Sequence, residues 1–460
     1  MLQEGFTVLV GWLAAVLFYD IYGFPFIVLW LMVAAGFFTV YLRGVNLRLF
    51  PHALQVVAGR FDRAGDKGEV SHLQALLSAL SATVGLGSIA GISVGVAVGG
   101  PGAIFWIVVA GFLGMATKFA EVTLSMCYRK IDENGKVYGG PFQYIEAGMR
   151  DIGEAKLGRV LALVFAVFCL GGALGGGNMF QSNQAVKIMT QTFAPLAESA
   201  WLLSLGFAAL VFVVLLGSIK RIAKVAEAIV PMKGILYLLC AMVVVAVNIE
   251  KLPATLMLIL HEAFTGSAAT GGFIGMIAMA FKRASFANEA GLGSAPIAHA
   301  AAKTQEPVSE ASVALLEPFF AAFIGFLTGL MVVITGAHEG AVASDGVMIA
   351  SQAFSSVAPW FSVMLAASVL LFAYSTTIGW SYYGEIAWCY LFGRKFVKLF
   401  YIIFCTATFF GGIMNFGVIL DFSDLLILGM ALPNILVLYF LRGRIKAEME
   451  RYMAALPKKA

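Results

Sequence analysis

Charge is what this 460-residue sequence has least of. Only 12% of its residues are Asp, Glu, Lys or Arg, about half the ~25% usual in soluble domains. So few charges cannot coat a soluble surface of this size, which excludes a single soluble core. A hydrophobic content of 60% excludes a disordered chain. Histidine is scarce as well: His52, His72, His261, His299 and His338 form no HExxH pair. The five cysteines (Cys127, Cys169, Cys240, Cys389, Cys405) stand singly in or beside apolar runs. Without a CxxC they indicate neither a disulfide framework nor a zinc site. No GxxxxGK[ST] phosphate loop occurs, and no set of carboxylates or Ser/His/Asp marks an intramembrane hydrolase. An enzyme, an organic cofactor and a nucleic-acid partner are therefore not expected. Met1-Leu2-Gln3-Glu4 lacks a basic n-region, so a cleaved signal peptide is not expected either.

What the sequence has instead is apolar length. A span needs ~20 apolar residues. Stretches free of charge predict eleven spans at about 22–42, 73–98, 102–127, 158–189, 200–217, 228–248, 254–282, 311–335, 358–389, 397–412 and 418–441. Residues 6–19 are apolar but short, which fits an interfacial or re-entrant helix, with a full span as the alternative. With these boundaries all but four of the 30 basic residues fall in loops on one side or at their edges, as Arg159, Lys282 and Lys398 do. Lys251 lies opposite, and Lys118, Lys187 and Lys233 lie inside spans. Basic residues mark the cytoplasmic side, so the N-terminus is expected outside and the C-terminus in the cytoplasm. The expected fold is an all-α polytopic membrane protein of about 11 transmembrane helices, one domain over 1–460, surrounded by lipid. Residues 1–72 would supply the first helix and its loop, and 442–460 a cytoplasmic tail.

The five spans within 73–248 start inside, and the five within 254–441 start outside. This is a 5+5 inverted repeat preceded by one helix. Each half opens with a glycine-interrupted segment, Val84-Gly85-Leu86-Gly87-Ser88-Ile89-Ala90-Gly91 and Thr265-Gly266-Ser267-Ala268-Ala269-Thr270-Gly271-Gly272. Paired glycine breaks in opposed halves point to a midplane transport site. Helix N-termini there hold carboxylates, and freed carbonyls hold cations. The bland alternative is that such glycines only admit close helix packing.

Polar groups inside spans leave two readings each. Gln181 and Asn183 line a substrate cavity or bond a neighbouring helix. Ser375-Thr376-Thr377 supplies hard oxygen ligands or bonds its own i−4 carbonyls. Lys118 and Glu121, at i and i+3, pair or mark a site. Glu317 and Glu385 are proton sites or anchors near the span ends, and Lys187 and Lys233 snorkel or pair.

Five longer strings stand out: Gly99-Gly100-Pro101-Gly102-Ala103-Ile104-Phe105-Trp106, Gly114-Met115-Ala116-Thr117-Lys118-Phe119-Ala120-Glu121, Gly139-Gly140-Pro141-Phe142-Gln143-Tyr144-Ile145, Asn288-Glu289-Ala290-Gly291-Leu292-Gly293-Ser294-Ala295-Pro296 and Tyr382-Tyr383-Gly384-Glu385. Together they resemble the alanine or glycine:cation (sodium:alanine) symporters. Their order covers nearly the whole chain. The resemblance implies a LeuT-type fold and Na+-driven uptake of alanine, glycine or a similar small neutral amino acid, in the plasma or inner membrane of a prokaryote. A proton-coupled carrier of the same fold is the alternative.

The resemblance also implies the site. Substrate would meet Gly85, Leu86, Gly87 and Ser88 of the first broken helix and Gln181. It would also meet Gly271, Gly272 and Phe273 of the second broken helix, and Thr376, Gly379 and Trp380. Na+ would take carbonyls near Ser81, Val84 and Phe372 with the hydroxyls of Ser375 and Thr376. The family often has Gly-Thr-Gly-Asn in the first break, where this chain has Gly85-Leu86-Gly87-Ser88.

Overall fold

The computed structural model describes residues 11–456 apart from 134, 218 and 266–271. The chain is mostly helical, and β structure among the described residues is slight. Asp20–Ile21 pairs antiparallel with Phe24–Pro25, Lys130–Ile131 does so with Val137–Tyr138, and Val70 bridges to Ala302.

A helix over 11–17 accounts for part of the expected 6–19 segment, whose remaining N-terminal residues lie outside the described ones. Then come α1 (Phe26–Tyr41), α2 (His72–Thr83), α3 (Ala90–Gly99), α4 (Ala103–Tyr128), α5 (Ala155–Leu174), α6 (Phe180–Thr192), α7 (Ala200–Leu215) and α8 (Ile219–Val247). The second part of the chain holds α9 (Leu252–Thr265), α10 (Gly272–Asn288), α11 (Pro307–Ala314), α12 (Leu316–Ile334), α13 (Ser362–Phe392), α14 (Val397–Ile413), α15 (Phe416–Gly429), α16 (Ala431–Phe440) and α17 (Arg442–Ala455).

Seven helical stretches are long and apolar enough to cross a bilayer, eight if the bent pair α2/α3 is one span. α1 and α7 are apolar but shorter, at 16 residues each. The expected span 254–282 differs in kind. It divides into α9 and α10, and α10 runs on to Asn288. Lys282 and Arg283, expected in a loop, therefore sit within α10. Asp424 of α15 explains why they are tolerated there: Lys282 Nζ lies 2.8 Å from its Oδ2, and Arg283 Nη2 also donates to it. A buried charge is acceptable where a partner compensates it.

Local chemistry sets the helix ends. The Ser71 hydroxyl accepts from the Gln74 amide at 3.2 Å, while the Gln74 side chain accepts from the Ser71 N–H. This reciprocal box satisfies two orphan donors at the start of α2. α3 ends at Gly100, whose φ of +80° suits glycine. The tail forms α17, which packs Ile445, Met449 and Tyr452 inward. It is held by Arg451 against Glu306 at 2.7 Å and by His52 against the Tyr452 hydroxyl at 2.9 Å. Burial lowers the His52 pKa below its ordinary 6.5.

α4 packs against α10, α11 and α12, while α8 packs against α2, α12 and α13.

Candidate substrate and cation site

The first broken helix bends by 59° between α2 and α3. Gly85 carries extended backbone, and Leu86–Ser88 form a single tight turn. Glycine is required at Gly85 by contact, because an added methyl would lie 2.5 Å from Thr376 Oγ1. Gln181 caps the break: its Oε1 accepts from Leu86 N at 3.1 Å, and its Nε2 donates to Gly176 O at 2.8 Å. Two expected substrate residues thus bond one another, and Gln181 fixes the direction of the turn. The Ser88 hydroxyl is fully buried and has no hydrogen-bond partner among the described residues.

Gln181 is placed by a widened helical turn over Gly175–Met179 between α5 and α6. The side of Gly177 is filled by Trp380, so any side chain there would collide with the indole. Asn183 bonds the carbonyls of Gly411 at 2.9 Å and Met414 at 2.8 Å, the neighbouring-helix reading of that residue.

Among the described residues, those packed against the first break come from the end of α10, not from Gly272 or Phe273. Gly271 lies outside the described residues. Gly272 begins α10 at φ +69° with open space around it, and Phe273 is 39% exposed against the Trp106 ring. Instead Phe286 and Ala287 crowd Gly87, 3.0 and 3.4 Å from where its Cβ would be. The chain then leaves the helix at Glu289, with positive φ at Glu289, Gly291 and Gly293. The missed segment has a plain signal: Gly291-Leu292-Gly293-Ser294 repeats Gly85-Leu86-Gly87-Ser88 residue for residue.

Side chains from α4 hold this second break. Lys118 Nζ donates to Glu289 O at 3.0 Å. Glu121 Oε1 accepts from Gly293 N at 3.0 Å and from Asn434 Nδ2 at 2.7 Å. The two residues that i,i+3 spacing offered as a pair are thus both directed at backbone across the bundle. Glu289 accepts from the Ser294 hydroxyl and, at 3.0 Å, from Trp380 Nε1. Trp380 therefore links α13 to the second break while resting on the glycine turn. Gly379 has a packing contact: a methyl there would lie 2.8 Å from the Ala82 nitrogen of α2.

The five residues expected around a cation also meet. Thr376 Oγ1 donates to Ser81 O at 3.0 Å, Ser81 Oγ to Ser375 O at 2.8 Å, and Ser375 Oγ to Phe372 O at 3.1 Å. These neutral carbonyl and hydroxyl oxygens suit a small hard cation. Lys233 adds an element the sequence reading left as a snorkelling or paired residue. Its ammonium donates to Val84 O at 2.7 Å and to Ser375 Oγ at 2.5 Å.

A further set of buried polar groups begins at the end of α2. Glu310 accepts from His72 Nδ1 through Oε2 and from His299 Nδ1 through Oε1, the latter at 2.5 Å. His299 Nε2 reaches Glu317 Oε1 at 2.5 Å, and Glu317 Oε2 accepts from Thr83 Oγ1 at 3.1 Å. Both nitrogens of His299 face carboxylates, which requires the doubly protonated ring or a proton on one carboxyl group. Glu385, the other candidate acid, accepts from the Tyr401 hydroxyl at 2.9 Å. Lys187 bonds the carbonyls of Ser344 and Asp345.

Residues 7–460 match the sodium:alanine symporter family. The chain belongs to that family. The sodium/alanine symporter AgcS of Methanococcus maripaludis is 37% identical over 436 residues, spanning 93% of this chain and 94% of AgcS. The putative sodium/proton-dependent alanine carrier YrbD of Bacillus subtilis is 33% identical over 405 residues, 84% of this chain and 81% of its own. Among solved structures, MhsT in complex with L-phenylalanine aligns with a TM-score of 0.59, covering 84% of this chain and 93% of MhsT. At 16% identity that likeness is one of fold, the LeuT type. Family members are transporters rather than enzymes, and the chain is a multi-pass membrane protein.

Proposed function

We propose that this protein carries a small neutral amino acid, of the alanine and glycine class, across a prokaryotic plasma membrane by cation-coupled alternating access. The supporting observation is that the first Gly-Leu-Gly-Ser break, Gly85–Ser88, packs against Phe286 and Ala287 at the end of the helix that leads into a second, identical one at Gly291–Ser294. Broken helices facing one another give a cavity-lining backbone at bilayer depth. In this reading eleven spans form a leading helix and two five-helix halves over 73–248 and 254–441. The N-terminus lies outside and the C-terminus in the cytoplasm.

The substrate carboxylate lies on the first break, where the unpartnered Ser88 hydroxyl adds a donor. The Glu289 carboxylate, oriented by Trp380 and Ser294, faces the ammonium. Phe286 and Trp380 bound the side-chain space, which favours a small residue. The cation belongs between α2 and α13, and Na+ is the family's first candidate there: the family and AgcS are both described as sodium:alanine symporters.

The test is competition for labelled alanine uptake into proteoliposomes. Glycine and serine are expected to compete, and phenylalanine is not. Equal competition by phenylalanine would remove the small-substrate assignment.

A further inference from the structure

Lys233 lies two residues past Pro231 in α8 and is 1% exposed. A buried ammonium must place three donors. Two go to Val84 O and Ser375 Oγ, and the ammonium lies 4.8 Å from the centroid of the Phe372 ring. Among the described residues Lys233 makes no ion pair. An unpaired charge at membrane depth is costly and marks function.

Val84, Phe372 and Ser375 are three of the five residues that the family resemblance gives to sodium. The remaining two, Ser81 and Thr376, are bonded to one another at 3.0 Å. Carbonyl and hydroxyl oxygens that suit Na+ suit an ammonium equally, but not both at once. Two like charges sharing one oxygen set repel strongly where water is excluded.

We propose that the Lys233 ammonium is the resident cation of this site and that Na+ does not bind there. The proposal rests on the amino-acid symport reading for the role of the site. The two bonds of the ammonium tie α8 to the first break and to α13.

The carboxylates and imidazoles of α2, α12 and α13 have other partners, while the buried Tyr383 hydroxyl of α13 has none among the described residues. Glu317 of α12 bonds Thr83 and His299, His72 of α2 faces Glu310, and Glu385 of α13 bonds Tyr401. On α8 itself, Tyr237 pairs with Thr328 and Glu227 accepts from Gln74. The helix Val347–Ser355, also packed against α8, carries no ionisable side chain.

The experiment needs no substrate at first. Thermal unfolding of the purified full-length protein is followed while NaCl replaces choline chloride. The wild-type Tm is expected to stay flat. Lys233→Met, which frees the oxygens, is expected to gain a Tm that climbs with the logarithm of Na+ concentration. Lys233→Gln serves if the methionine variant does not fold. A Na+-dependent rise in the wild-type Tm would overturn the proposal. Alanine exchange in proteoliposomes is then read in both salts. A flat wild-type Tm with no amino-acid exchange in either salt would keep Lys233 as the site's cation and overturn the symport reading instead.

Discussion

Glu310→Leu is expected to cost the folded protein about 3–5 kcal/mol, the usual penalty for breaking a buried charge network. Glu310 is fully buried, and it alone joins His72 of α2 to His299. Leucine fills much of the volume but accepts nothing, so two imidazole N–H groups lose their partner at once. Glu317 is then left to hold His299 alone. The change also releases α2 from the segment after the second break, where the Val70–Ala302 bridge and Arg129, bonded to Ala300 O at 2.7 Å and Ala302 O at 2.6 Å, are the neighbouring ties. Thermal unfolding and monodisperse yield measure the effect. Glu310→Gln keeps an acceptor on one side and should fall between wild type and leucine. An unchanged Tm for Glu310→Leu would show that the chain of groups does not carry stability.

Gln181→Leu is expected to separate function from folding. It leaves the Leu86 N–H and the Gly176 carbonyl unpaired, at about 1–3 kcal/mol. Transport should suffer far more. The Gln181 amide sets the direction of the first break, and a misplacement of about 1 Å at a working site costs on the order of 100-fold in rate. The expected result is alanine uptake reduced about 100-fold with a modest fall in Tm. Loss of uptake only in proportion to loss of folded protein would reduce Gln181 to a structural cap.

Much of this was legible in the chain, and particular residues show why the rest was not. Uncharged length located most of the spans, because lipid tolerates little else. Gly85–Ser88 stood out because glycines interrupt an uncharged apolar stretch there. The second break was hidden by its own chemistry. Lys282, Arg283 and Glu289 look like an exit from the membrane, and hydropathy treats them so. Asp424, Lys118, Ser294 and Trp380 satisfy them, and these partners come from up to 171 residues away. Residues 266–271 of the glycine-rich segment lie outside the described ones, whereas the repeated Gly-Leu-Gly-Ser marks the break that the structure describes. Lys118 and Glu121 show the limit of local spacing: i,i+3 neighbours face the same way, and here the same way is toward another helix. The meeting of Lys233 with Val84 and Ser375 could not be read from one strand of text, since it joins three distant helices.

The most direct measurement is counterflow. Proteoliposomes containing the purified protein are loaded with unlabelled alanine, diluted into a trace of labelled alanine without an ion gradient, and sampled over time. A carrier with an alternating amino-acid site predicts a transient accumulation of label that excess external glycine abolishes and an internal sugar does not produce. Label that only equilibrates, at the same rate with or without internal amino acid, would contradict that site.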